Sequence, residues 1–589
     1  MRHMRIDPGA DGIATLIFDY ADGPMNVIGD AFTRDFEEAT RRLTADATVT
    51  GVIVTSAKRE FLAGADLKEL VRALGGMTRD AALDFCRRAN AMHRAIERSG
   101  KPWVAAINGL VLGGGLELAL SCHGRVMVDD PRLVVGLPEV TLGMLPGSGG
   151  LQRLIRTIDL WAALDLLLTG RLVSPAEALA LGMIDALVPR EELMESARQW
   201  LSDHPDPVRP WDRPGAVPPQ GERTAAADEE GYARAAARIA RRSGDNYPAP
   251  WAILSAVREG ARLPLDAALA VEGRYCADLL TNPVARGIIR TTFVNKGAAD
   301  KGAARPVGTT PARLARIGVI GGGDGAAAIA KASARAGMAV VDEPSPAACD
   351  IVLTLEPDVA MAGAISVWFM TLPSFSGTGA GLYFPTALDR PGLVEIVAGD
   401  GADDATVGLL LDYALRLRRT PIISHRQSYV LRGLLAFLLE GRAMLAEGVP
   451  AALIEEEARA AGMAEGPLAR IDALGGPALL PGAQALPGSA QSPSHDRADL
   501  RARFLHVQAL EAVRCLEEGV VTTPADADLG SVYGWGFPVW TGGGASYVDM
   551  LGSAAFVATA DRLADRYGDR FAVPDGLRAM AARDARYHD

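Results

Sequence analysis

Residues 107–126 read INGLVLGGGLELALSCHGRV, three consecutive glycines set directly before an apolar, helix-like run that carries Glu117. Glycines at such a junction let backbone N–H groups approach a ligand without side-chain obstruction, and a helix N-terminus adds a dipole that favours negative charge. Asn108, the glycines and Glu117 also make the overlapping stretch PWVAAINGLVLGGGLELALSC, residues 102–122, a poor membrane span, although its length and hydropathy otherwise suit one. The chemistry it suits is the holding of an oxyanion.

Upstream, FLAGADLKEL offers a second small-residue turn, Ala63 to Ala65, able to present another free amide. Downstream, DPRLVVGLPEVTLGMLPGSGG places Glu139 behind a proline, 22 residues after Glu117. Two amides on one carbonyl oxygen stabilise an enolate, and two carboxylates beside one reacting carbon divide acid and base work because crowding and burial separate their pKa values. Each piece is weak alone: a lone Glu is most often a surface residue, and a glycine triplet most often a loop or a close helix contact. Their order and wording carry the signal.

A chain of 589 residues exceeds one hydrophobic core, and at about 150 residues per domain it divides into roughly three to five. Hydrophobic residues at 49% and charged residues at 22% place it among globular proteins. The balance of 60 Lys and Arg against 72 Asp and Glu, a net charge of −12, disfavours nucleic acid as a partner. Five cysteines without CxxC spacing indicate reduced thiols and a cytoplasmic location, and the N-terminal segment lacks the apolar core of a secretory signal. No histidines stand at metal-ligand spacing, so no metal is expected. His123, Lys68 and Lys101 lie near the first motifs, but a core histidine and solvated lysines are the simpler readings.

Short β-branched runs alternate with amphipathic helical stretches over residues 1–200, the rhythm of an α/β domain. Proline and charge mark the start of a linker and helical connector at 201–310. Then ARIGVIGGGDGAAAIAKASARAGMAVVDE reads as strand, glycine turn, alanine-rich helix and strand, with GxGxxA at Gly321, Gly323 and Ala326. Asp342, 21 residues after Gly321, stands near where an acidic side chain would hold an adenosine ribose. The expected domains continue as a Rossmann-like unit at 311–425, a helical domain at 426–475, a Gly/Pro/Ser linker, and a second helical domain at 496–589. Only about eight residues separate Asp342 from the next strand at Asp350, where a parallel crossover uses a dozen or more, so the Rossmann-like unit is truncated or rewired.

The segments FLAGADLKEL, INGLVLGGGLELALSCHGRV, GLPEVTLGMLPGSGGLQRL and GRLVSPAEALALGMIDALV resemble the crotonase, or enoyl-CoA hydratase/isomerase, superfamily over residues 5 to 190. The resemblance implies a ββα spiral fold, oxyanion-hole amides from Ala65 and Gly114, and the hydratase pair Glu117 and Glu139. In that pair Glu117 helps activate water and Glu139 delivers the α-proton. It implies a trans-2-enoyl-CoA substrate, with Δ3-Δ2 isomerase side activity as an addition, and no cofactor for hydration. The stretch MVDDPRLVV is about two residues longer than the superfamily pattern and suggests a longer hairpin turn.

The remainder, through NYPAP, GLYFPTALDRPGLVEIVAG and VRCLEEGVVTTPADADLGSVYGWGFPVWTGGG, resembles the 3-hydroxyacyl-CoA dehydrogenase half of the multifunctional fatty-acid β-oxidation family. The departures fall at its chemistry. The family's catalytic histidine aligns with Tyr383, its asparagine with Leu431, and its SNTS turn with something like WFMTLPS, while its glutamate survives as Glu395. A tyrosine is no base near neutral pH without a large fall from about 10. The resemblance therefore implies a catalytically silent dehydrogenase half, with NAD binding left open. A bifunctional enzyme is the alternative, and a C-terminal region that docks a thiolase subunit is a third reading.

Overall fold

The computed structural model describes residues 1–216, 225–356, 364–369, 379–476 and 496–588. The chain divides into two compact units, Met1–Arg286 and Gly287–Asp589, and the expected connector is shared between them. No helix among the described residues is long and apolar enough to cross a membrane.

The first unit contains β1 (Met4–Asp7), β2 (Ile13–Phe18), β3 (Gly51–Ser56), β4 (Trp103–Ile107), β5 (Val111–Leu112), β6 (Gly124–Val128), β7 (Val135–Gly136) and β8 (Ala186–Val188). Six of them form a sheet ordered β1-β2-β3-β4-β6-β8, antiparallel only between β1 and β2. Strands β4 and β6 are buried along their whole length, as parallel strands covered on both faces must be. On one face, Ile53, Val104 and Val126 pack against Leu193, Ala197 and Leu201. Phe18, Phe32, Phe36 and Phe61 form a separate aromatic cluster.

The expected hairpin after β6 does not form. Strand β6 pairs with β4 and β8, whereas β7 pairs in parallel with β5 in a small second sheet. Residues 129–134 therefore carry the chain from one sheet to another, and this excursion delivers Glu139 beside the glycine turn that follows β5.

The second unit has β9 (Arg316–Ile320), β10 (Ala339–Val341), β11 (Ile351–Thr354), β12 (Ala364–Phe369), β13 (Ala380–Phe384), β14 (Leu393–Ala398) and β15 (Thr420–His425), ordered β10-β9-β11-β12-β13-β14-β15. Strands β10 and β11 pair in parallel with opposite edges of β9, so residues 342–350 cross over β9 without a helix. Gly318 makes room for that path: a Cβ there would lie 2.4 Å from Pro344 Cβ and 3.1 Å from Cys349 Sγ. The remainder is helical around a core that includes Phe437, Phe504, Leu510 and Phe556. Inside it the buried Arg503 guanidinium lies 2.6 Å from Glu440 and 2.7 Å from Glu447, which satisfies a charge too costly to bury alone.

Candidate active site

Two glycine turns of the first unit meet backbone to backbone. Phe61 N donates to Leu110 O at 3.1 Å, and Leu112 N to Leu62 O at 3.1 Å. A Cβ on Gly115 would lie 2.3 Å from Leu62 O, so this approach requires glycine. Gly64 and Gly113 hold φ of +96° and +54°, the left-handed region that favours glycine.

The parallel bridge between Ile28 and Ala65 is closed by Ile28 N to Gly64 O at 2.8 Å and Asp66 N to Ile28 O at 2.9 Å. This leaves the Ala65 N–H turned away from Ile28. Gly114 opens the Gly114–Ser121 helix, so its N–H has no partner within that helix. Neither amide donates to another described residue. The sequence-expected donors are thus both available, on turns that touch.

Glu117 is buried in the first turn of the same helix, and its Oε1 accepts Ser148 N and Gly150 N at 2.8 Å each. Burial raises its pKa, and the two amides pull it back. Glu139 begins the short Glu139–Leu142 helix, also buried. Its Oε2 has no hydrogen-bond partner among the described residues. Burial, and then the negative charge of Glu117, push the Glu139 carboxyl well above the ordinary range. The two carboxylates converge on one turn: a Cβ on Gly113 would lie 2.9 Å from Glu139 Oε1, and one on Gly114 would lie 3.8 Å from Glu117 Oε2. A carboxyl pushed toward its neutral form beside a carboxylate held by amides is an arrangement that can divide acid and base work.

One carboxylate here escapes the sequence reading. Glu272, on the Leu265–Leu280 helix of the expected connector, is fully buried and accepts Gly149 N at 2.6 Å and Gln152 N at 3.0 Å. Its only signal in the sequence is its place in the apolar spacing Leu265, Ala268, Leu269, Glu272, Cys276, Leu279, where a charge is unexpected.

The core-histidine reading holds for His123, and Lys68 is exposed, as a solvated lysine is. His123 accepts Trp103 N at 3.0 Å and lies 2.7 Å from Pro207 O, and burial lowers its pKa to about 4. Lys101 departs from the solvated reading, because its half-buried Nζ donates to the backbone carbonyls of Leu43, at 2.7 Å, and Asp46.

Residues 10–205 match the family described as enoyl-CoA hydratase/isomerase. That segment is an enoyl-CoA hydratase/isomerase domain. The full chain is similar to fatty acid oxidation complex subunit alpha of Shewanella loihica, 26% identical over 703 aligned positions that cover 98% of each chain. The same protein of Shewanella oneidensis is 27% identical over 703 positions, with the same coverage. These alignments are longer than the 589-residue chain, so the relatives carry segments without a counterpart here. Among solved structures, an enoyl-CoA hydratase from Bacillus anthracis is 27% identical with a TM-score of 0.31, covering 46% of this chain and 89% of its own. Human mitochondrial delta3-delta2-enoyl-CoA isomerase is 25% identical with a TM-score of 0.32, covering 45% and 96%.

In the second unit, β9 leads through Gly321 (φ +116°) and Gly323 (φ +78°) into the Gly323–Arg335 helix, on which Ala326 is buried. A Cβ on Gly322 or Gly323 would meet nothing within 4 Å, and exposed Asp342 directly follows β10. This turn fits the pyrophosphate and ribose of a dinucleotide. The residues expected at the dehydrogenase centre lie on β13, β14 and the helix after β15. Tyr383 lies opposite Glu395 across β13 and β14, and its hydroxyl is pushed up to about 12 by burial and by the charge of Glu395. Glu395 accepts Tyr429 N at 2.6 Å, Val430 N at 3.3 Å and the Ser428 hydroxyl, closing the N-terminus of the Tyr429–Ala446 helix. Leu431 lies in the first turn of that helix. Residues 370–374 of WFMTLPS lie outside the described residues.

Proposed function

We propose that this protein hydrates a trans-2-enoyl-CoA thioester. The observation that carries the reading is the convergence of buried Glu117 and Glu139 on the Gly113–Gly114 turn, one carboxylate held by two amides and the other with an oxygen unpaired among the described residues. The thioester oxygen takes the N–H groups of Ala65 and Gly114, each contributing about 2.7–4 kcal/mol to an enolate-like transition state by analogy with other oxyanion holes. Water lies between the carboxylates. Glu117 takes one of its protons as its oxygen bonds to C3, and protonated Glu139 gives its proton to C2, so the double bond is consumed and water is added across it. The Glu117 proton returns to Glu139 through solvent before the next turnover. The same pair can shuttle a proton between C2 and C4, which supports a secondary Δ3-Δ2 isomerase activity. Incubating the protein with crotonyl-CoA tests the reading: the absorbance of the conjugated thioester falls, and a folded protein that leaves it unchanged refutes hydration.

In the second half, the amides at Gly321 and Gly323 would hold the pyrophosphate of NAD and Asp342 its ribose; bound NAD would supply hydride chemistry. No residue at Tyr383 or Leu431 can serve as the base that chemistry uses, and Glu395 is committed to a helix terminus. We therefore propose a dehydrogenase half without catalytic activity. The bifunctional reading is favoured by the alignment along 98% of relatives whose name places them in fatty acid oxidation. Acetoacetyl-CoA with NADH separates the two: steady NADH absorbance supports the inactive half, and rapid loss supports the bifunctional one. Docking of a thiolase subunit is a further proposal, tested by co-elution in size-exclusion chromatography.

A further inference from the structure

We propose that Glu272 is a positioning residue for hydration, fixing the Ser148–Gly150 turn against Glu117. The inference rests on the hydratase reading and concerns a helix beyond residues 10–205.

The geometry is an interleaving. Four amides lie at the turn that opens the Gly150–Thr157 helix. Ser148 N and Gly150 N go to Glu117, while Gly149 N and Gln152 N go to Glu272. If Glu272 is withdrawn, two buried amides lose their acceptor and the turn is free to relax, carrying with it the two amides that orient Glu117. Gly149 cannot be supplied by another residue: its φ is +92°, and a Cβ there would collide with Arg153 Nη1. The turn is therefore held by one carboxylate on each side and by no side chain of its own at Gly149.

Among the described residues, the charged and titratable neighbours are otherwise paired or neutral. Arg153 pairs with Glu97 at 2.8 and 2.9 Å and also reaches Ser148 O at 3.2 Å. Glu97 in turn binds Arg94. Arg156 donates to Gln152, Gly260 and Leu263 carbonyl groups. His93, 2.7 Å from Ser148 O, is neutral above a pKa lowered to about 4 by burial. Cys276, whose thiol is raised by its contact with Cys86 and by burial, stays neutral. Burial and the charge of Glu117 push Glu272 itself well upward, with its two amides opposing. Beyond burial, it is the charge of Glu117 that raises both Glu139 and Glu272, so the ionised form of Glu117 rests on the Ser148 and Gly150 amides and on the turn that Glu272 holds.

The test is the pH dependence of crotonyl-CoA hydration by the full chain and by Glu272→Gln and Glu272→Asp. The amide variant is expected to lower kcat about 10-fold at neutral pH with KM little changed. Its acidic limb moves to higher pH, because the two amides that lower Glu117 are no longer held against it. Glu272→Asp, which keeps the carboxyl but draws it back, is expected to fall between the two. A merely structural role lowers the melting temperature and leaves the limb in place. A folded variant whose kcat and limb superimpose on those of the parent overturns the inference, and if Glu272→Gln does not fold, Glu272→Asp decides by the same comparison. Failure of the parent to hydrate the substrate defeats the hydratase reading instead.

Discussion

Glu117 and Glu139 meet at one glycine turn with unequal hydrogen bonding: Glu117 Oε1 receives two amides at 2.8 Å, and Glu139 Oε2, equally enclosed, receives none among the described residues. The difference assigns the roles, since the supported carboxylate keeps its charge more readily and the unsupported one keeps its proton.

Replacing either carboxyl by its amide removes one half of the proton traffic. Glu117→Gln and Glu139→Gln are each expected to lower kcat for crotonyl-CoA hydration by about 10²–10⁴-fold with a small change in KM. A variant that keeps the parent rate would falsify its assigned role.

The pH profile follows from the same asymmetry. Hydration needs Glu117 ionised and Glu139 protonated, so activity falls in acid through the former and in alkali through the latter. Both limbs lie above the ordinary carboxyl value of 4.5, because burial raises both groups. The folded protein binds the Glu139 proton more tightly than the unfolded chain. Its contribution to stability is present below 4.5 and is lost as pH rises through the folded value. Glu139→Gln is accordingly expected to gain about 1 kcal/mol at neutral pH, read as a raised melting temperature in an inactive protein.

Gly64 tests the oxyanion turn. Alanine there costs about 1–2 kcal/mol for its positive φ. Its Cβ also presses on Leu112 O at 3.1 Å, shifting the adjacent Ala65 amide. Gly64→Ala is expected to lower kcat in a protein that still folds; unaltered kcat would remove the Ala65 amide from the mechanism.

Gly318 tests the helix-free crossover. Gly318→Ala drives a methyl into Pro344 and is expected to destabilise the second unit by about 1–3 kcal/mol, measured by denaturant unfolding, with crotonyl-CoA hydration unchanged. Unchanged stability would mean that residues 342–350 take another path.

What the sequence made legible was local. The glycines at 113–115 and the nearby Glu117 announce a helix terminus with free amides because the backbone requirement and the residue that meets it are neighbours. The count from Asp342 to Asp350 likewise exposes the shortened crossover, although not its route over Gly318. Longer relationships were hidden. The turn after β6 looked like a hairpin because nothing in residues 129–134 records that β6 and β7 belong to different sheets. Glu272 looked like a charge on a connector helix, since the amides that justify its burial are more than a hundred residues earlier in the chain. Glu395 survives from the dehydrogenase pattern, but its commitment to Tyr429 and Val430 is visible only once the strand and the helix are packed together.

Isotope transfer from solvent tests the central claim most directly. Crotonyl-CoA is incubated with the protein in D2O enriched in oxygen-18, and the product is read by mass spectrometry and NMR. The expected product is a 3-hydroxyacyl-CoA with one deuterium at C2 and one solvent oxygen at C3. Recovery of crotonyl-CoA unchanged, or of a shifted double bond without solvent oxygen, contradicts the assignment of water activation to Glu117 and proton delivery to Glu139.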